Sequence, residues 1–185
     1  PDFLKNYGLT ADEIQDQDSR LDVRTVITAF DDLARLTGDD IAVMDVFYQA
    51  EIGYANFFDY VGFCAPTVRD SLKNWARFFP TRTNSTSLSY SETDSHGILE
   101  WYIPDHLGVR RQFTYGMSAF MVGRIEQILA GDGTGICTEL AAPPPVRTGT
   151  FLAKYNGQIA FDAPATRFLV PSSKLSNQPP DADQG

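Results

Sequence analysis

The sequence predicts an α+β domain: N-terminal helices, then a small, largely antiparallel sheet with helices packed on one of its faces. Two observations predict it. Between residues 10 and 80 apolar positions recur at helical spacing, and around "DSHG" (94–97) they switch to strict alternation. The resulting order is helices, hairpin, helix, strand, helix, strand, strand, which segregates the two kinds of element.

Each element has a local reason. Thr10 stands before "ADEI" with Glu13 three residues on, a capping box that opens a short helix. Asp22 caps a longer helix whose Val26, Ile27, Phe30, Leu33 and Ala34 share one face, and Gly38 stops it. A third helix is expected from Ile41 to Ala50. "IGYANFFDYVGFCAP" (52–66) is apolar on nearly every side and predicts a buried helix that ends before Pro66. In "PTVRDSLKNWARFFP" (66–80) Thr67 caps and Asp70 occupies the capping-box position. Leu72, Trp75, Ala76 and Phe79 form the inner face, and Pro80 ends the helix.

The second half begins with a hairpin. Leu88 and Tyr90 precede its turn, Leu99, Trp101 and Ile103 follow it, and one face is left wet. "VRRQFTYGMSAFMVGRIEQILAGDG" (109–133) predicts a long amphipathic helix. Its stripe is Phe113, Met117, Phe120, Met121, Ile125, Ile128 and Leu129, with Gly131 and Gly133 as the stop. "GICTELAAP" (135–143) reads as a short strand and "VRTGTFLAKYN" (146–156) as a helix with Gly157 past its end. "QIAF" (158–161) and "RFLVP" (167–171) read as two more strands.

Length and composition bound the function. At 185 residues with 43% apolar content the chain is expected to form one domain. Its formal charge of −9 repels phosphate, so nucleic acid and anionic membrane faces are not expected partners. There is no run of eighteen apolar residues to span a membrane. The opening "PDFLKNYGLT" has no charged-then-apolar leader. Cys64 and Cys137 are expected as buried free thiols of a reducing cytoplasm, a disulfide between them being the alternative.

Catalytic patterns are weak. His96 falls in an expected turn and His106 in the loop "PDHLG", neither beside a patterned nucleophile. No CxxC, HExxH or spaced His–carboxylate set suggests a metal, and no cofactor is expected. "GDGTG" (131–135) follows a helix and lacks the lysine of a phosphate loop, so it reads as a stop. The acidic residues read as solvated helical faces.

The informative cluster is aromatic. Tyr54, Phe57, Phe58, Tyr60 and Phe63 ride one segment, Trp75, Phe78 and Phe79 the next, and Trp101 and Tyr102 the hairpin. Arg110 and Arg111 open the helix that carries Phe113, Tyr115 and Met117. These rings either fill the core or line a pocket. In the pocket reading, an arginine beside a helix N-terminus partners an anion, and the candidate ligand-binding residues are Tyr54, Phe57, Phe58, Trp75, Trp101, Arg110, Arg111, Phe113 and Met117.

Three stretches in order also resemble a known family. "YGLTADEIQDQDSRLDVRTVITAFDDLARLTGDD" looks like its opening, with the "LTGD" stop. "YVGFCAPTVRDSLKNWARFF" looks like its Ala/Ser-Pro-Thr-then-helix segment, and "YNGQIAFDAPATRFLVPSSKLSNQPPDAD" like its closing F-x-A-P segment. The family is the "arabinose-binding-like" N-terminal sensor domain of AraC-type bacterial transcription regulators. Asp162 and Ala165–Thr166 depart from the usual closing pattern, and residues 54–63 are more aromatic than is common there.

The resemblance implies an effector-sensing and dimerisation domain at residues 1–175. Residues 176–185 would begin a linker to a helix-turn-helix domain that is not in this chain. The expected partners are a small anionic or aromatic effector and a second copy of the chain. DNA would be reached only through the other domain. A dimerisation module without a ligand is the alternative, and an enzyme finds less support.

Overall fold

A computed structural model describes residues 2–16, 19–108, 110–153 and 157–182. Short helices α1 (Asp2–Lys5) and α2 (Ala11–Gln15) lead into α3 (Val23–Thr37) and α4 (Ala42–Tyr48). Then come α5 (Phe57–Phe63), α6 (Val68–Phe78), the hairpin β1 (Ser87–Glu92) and β2 (His96–Tyr102), and the long α7 (Arg111–Ile128). The chain finishes with β3 (Cys137–Glu139), α8 (Thr148–Leu152), β4 (Gln158–Ala160) and β5 (Thr166–Pro171). The sheet order is β1-β2-β5-β3-β4, antiparallel throughout except for the parallel pair β3/β4. The α+β class holds.

The helix starts form where the sequence places them. Thr10 and Glu13 complete a reciprocal capping box. Asp22 accepts from the N–H groups of Arg24 and Thr25, and Thr67 from that of Asp70. Gly38 stops α3 with φ +66°, a left-handed turn that costs glycine little.

One face of the sheet is dry. Leu88, Leu99, Trp101, Phe168 and Val170 point into the core, and the intervening residues face outward. On the outer face Arg167 sits between Glu100 (2.5 Å) and Glu139 (3.5 Å). On the dry side helix α6 packs against β1 and β2, and α7 meets the sheet through Phe113 on Trp101. Gly116 and Gly123 let α4 approach α7: a Cβ at Gly116 would stand 2.6 Å from Val43 Cγ1, and one at Gly123 3.2 Å from the Tyr48 carbonyl.

Several expectations are corrected. The expected helix over 52–65 is only α5. Gly53 (φ +95°) and Asn56 (φ +50°) turn the chain ahead of it, and Tyr54, Phe57 and Tyr60 are exposed. Helix α7 starts at Arg111 and is not amphipathic. It is buried on nearly every side, Gln112, Thr114, Ser118, Arg124 and Glu126 included, because α3, α4 and α5 all pack against it. Asp59 and Glu126 are therefore buried acids, not solvated ones. Cys64 and Cys137 are free thiols, but Cys64 is exposed and Cys137 half-buried. His96 is the first residue of β2 instead of a turn residue.

Val109, Lys154–Asn156 and residues 183–185, parts of the segments read above as helix and tail, lie outside the described residues. The strip after β5 is tied down at first. The carbonyls of Leu175 and Asn177 accept from the N–H groups of Arg69 and Val68 (2.9 Å each), supplying partners to the open first turn of α6.

Candidate functional site

The first turn of α7 borders a cleft of about 420 Å³, with Gly108, Arg110, Arg111 and Thr114 on one side and Ala141–Pro143 on the other. A neighbouring hollow of about 330 Å³ adjoins it at Gly108 and reaches Asp31, Asp32 and Arg24 on α3. Two features make the first turn receptive to an anion. Arg110 at the N-cap has no side-chain capping bond, and the N-terminal N–H groups of an 18-residue helix carry partial positive charge.

The two arginines have different duties. Arg110 is half-buried and donates to the carbonyls of Gly108 (2.8 Å) and Ile103 (3.4 Å) and to Asp105 (3.4 Å). It therefore shapes the loop leading into the helix. Arg111 is exposed at the cleft edge. Asp31 on α3 accepts from the Gln112 N–H at 3.3 Å. Burial holds its carboxyl above the usual carboxylate range, against the opposing pull of that N–H and of the Arg111 charge.

The far wall is fixed by tertiary contacts. The Tyr115 hydroxyl donates to the Pro143 carbonyl, and burial pushes that phenol up to about 12. The Ala141 N–H donates to Thr166 Oγ1 at 3.2 Å. Farther along, the Val146 N–H donates to Asp40 and Arg147 pairs with Asp39 at 2.8 Å. These bonds fasten the 141–147 strap to the α3–α4 turn.

The sequence-derived candidates fall into four groups. Arg110 and Arg111 meet at the cleft. Trp101 and Phe113 pack together (5.5 Å between ring centres) just behind the first turn, with Met117 half-buried one turn further on. The Trp101 Nε1 is buried and has no hydrogen-bond partner among the described residues. Phe58 and Trp75 stack in the core (6.3 Å), where the indole N–H donates to the Phe58 carbonyl at 3.0 Å. A Cβ at Gly62 would lie 2.2 Å from the Trp75 ring, so that site is filled. Tyr54 and Phe57 are exposed, 57% and 56% accessible.

Two rings absent from the candidate set connect part of it. Tyr54 touches Phe47 (6.0 Å), Phe47 touches Phe30 (5.5 Å), and Phe30 touches Phe113 (6.3 Å). A continuous aromatic line thus runs from the exposed Tyr54, in the turn ahead of α5, to the start of α7. The sequence also hid the buried Arg124, whose guanidinium lies over Phe120 at 4.4 Å and reaches Phe63 at 6.0 Å. A lone arginine inside an apolar helix was the one signal available.

The cleft is open and has a cationic helix start, and among the described residues no acid–base pair is assembled at it. In a comparison with family models, residues 1–178 match the model described as the arabinose-binding domain of AraC transcription regulators, N-terminal. The chain belongs to that family, a family of regulatory ligand-binding domains and not of enzymes. No curated protein matches the chain. Among the described residues no helix is long and apolar enough to cross a membrane.

Proposed function

We propose that this chain is the effector-sensing and dimerisation domain of an AraC-type regulator, and that its effector is a small carboxylate seated at the start of α7. The observation that carries this reading is the cleft of about 420 Å³ that sets the exposed Arg111 at the positive end of α7, where the N-cap residue Arg110 makes no side-chain capping bond. A carboxylate there gains the Arg111 guanidinium and the partial positive charge of the helix start, beside the Gln112 N–H that Asp31 already holds.

Binding would alter transcription by population shift. An effector that holds the 141–147 strap against α7 favours one arrangement of the domain, with a coupling of about 1–3 kcal/mol. The exit strip at Leu175–Asn177, bound to the first turn of α6, would carry that preference towards a helix-turn-helix domain, through which the protein would reach DNA as a cytoplasmic homodimer. A thermal-shift screen of amino acids, aromatic acids and fatty acids tests the proposal, since a ligand selective for the native state raises its melting temperature. A second reading, a dimerisation module without a ligand, has in its favour the filled packing around Trp75.

A further inference from the structure

From the sheet edge at β1 we infer the surface on which two copies of this chain meet: their β1 strands pair antiparallel about a two-fold axis and join the two five-stranded sheets into one. The inference rests on the homodimer reading above and goes beyond it by naming the interface.

Strand β1 is the outermost strand and pairs only with β2. The hairpin settles which of its backbone groups face outward. The Thr93 N–H donates to the His96 carbonyl at 2.8 Å, so Thr93 points at β2. By strand alternation Ser91, Ser89 and Ser87 do too, and Leu88, Tyr90 and Glu92 turn their N–H and C=O groups away from the sheet. None of these outward groups finds a backbone partner among the described residues.

Proteins ordinarily blunt such an edge with a proline, a lysine or a bulge. The stretch "SLSYSE" has none of these, and its pairing with β2 is unbroken over six residues. The opposite edge, β4, is three residues long. An unprotected six-residue edge is therefore best explained by a strand that covers it.

The strand's own chemistry selects a second copy as its occupant. With Tyr90 opposite Tyr90 of the second copy, the outward groups of Leu88 meet those of Glu92. On the open face Ser89 meets Ser91. No acid opposes an acid, and the only charge on the strand, Glu92, is already neutralised by Arg69 (3.0 Å) and Lys73 (3.9 Å). That local balance matters in a chain of net charge −9, whose copies repel elsewhere.

The test is sedimentation equilibrium of the whole chain, wild type and the double variant Ser89→Lys/Ser91→Lys, with amide hydrogen exchange on the wild type. Both serines are exposed on the open face, so the variant should keep the wild-type fold, read as an unchanged far-UV circular dichroism spectrum. A dimeric wild type, with a dissociation constant that rises at least about 10-fold in the variant as lysines oppose lysines, is the expected result. The Leu88, Tyr90 and Glu92 amides should gain exchange protection as concentration favours the dimer. A wild type that stays monomeric overturns the dimer reading itself. A dimer that survives the substitutions, or leaves those three amides unprotected, overturns only the β1 interface.

Discussion

Arg124 and Asp59, fully buried on α7 and α5, form a two-pronged ion pair with N–O distances of 2.8 and 2.9 Å. Around it Arg124 also donates to the carbonyls of Ala50 (2.6 Å) and Glu51 (2.7 Å), and Asp59 accepts from the N–H groups of Gly53 (2.8 Å) and Ala55 (3.1 Å). One pair thus holds the irregular 50–56 segment against the central helix. The satisfied hydrogen bonds, more than the attraction alone, make such burial tolerable.

Removing one partner leaves the other charge buried and alone. Asp59→Ala should cost about 3–5 kcal/mol, read from urea denaturation. Adding Arg124→Met should recover a substantial part of that loss. A double variant as weak as the sum of its singles would show that the two residues act independently.

Trp75→Ala should cost about 3–5 kcal/mol, because the indole fills a fully buried site. Gly62→Ala should be destabilising by about 1–3 kcal/mol through the opposite fault, a methyl forced against that ring. A loss below about 1 kcal/mol for Trp75→Ala would contradict the packing described here.

Arg111→Ala should leave the melting temperature within about 2 °C of wild type, because the side chain is exposed and makes little packing. Its effect should fall on carboxylate binding instead. Arg110→Ala should do the reverse, loosening the 103–108 loop whose carbonyls it holds.

Acid should weaken the tie between the α7 stop and the β5 exit. Asp132 pairs with Lys174 at 2.7 Å, and hydrogen bonds from Lys174 and Thr134 hold its carboxyl down at about 2. A depressed folded-state value means that the pair's stabilisation is present above the unfolded carboxylate range. It is lost as pH falls from about 4 to 2. Denaturation midpoints measured across that window should fall more steeply for wild type than for Asp132→Asn.

Features set by neighbours in sequence were legible. The caps at Thr10, Asp22 and Thr67 and the stop at Gly38 depend on groups within three residues, and each forms as read. The hairpin was legible because alternation fixes both its faces. The all-round burial of α7 was not. Its Gln112 and Glu126 look solvated until the Asp40 carbonyl and the Tyr48 hydroxyl, 72 and 78 residues away, are placed beside them. The helical reading of 52–56 failed because Asp59 captures the Gly53 and Ala55 N–H groups into a turn. At the cleft, the arginine pair could be picked out at a helix start. The Ala141–Pro143 wall could not, since nothing in "AAPPP" marks chemistry and the bonds that place it, Tyr115 to Pro143 and Ala141 to Thr166, join residues 28 and 25 positions apart.

The most direct test of the sensor proposal is to map, by amide chemical shifts, where a stabilising carboxylate from the thermal-shift screen binds the isotope-labelled chain. The largest changes should fall on Arg111–Thr114 and Ala141–Ala142, and Arg111→Ala should abolish them. Changes centred on Phe58 and Trp75, or a pattern unaltered by Arg111→Ala, would contradict the account.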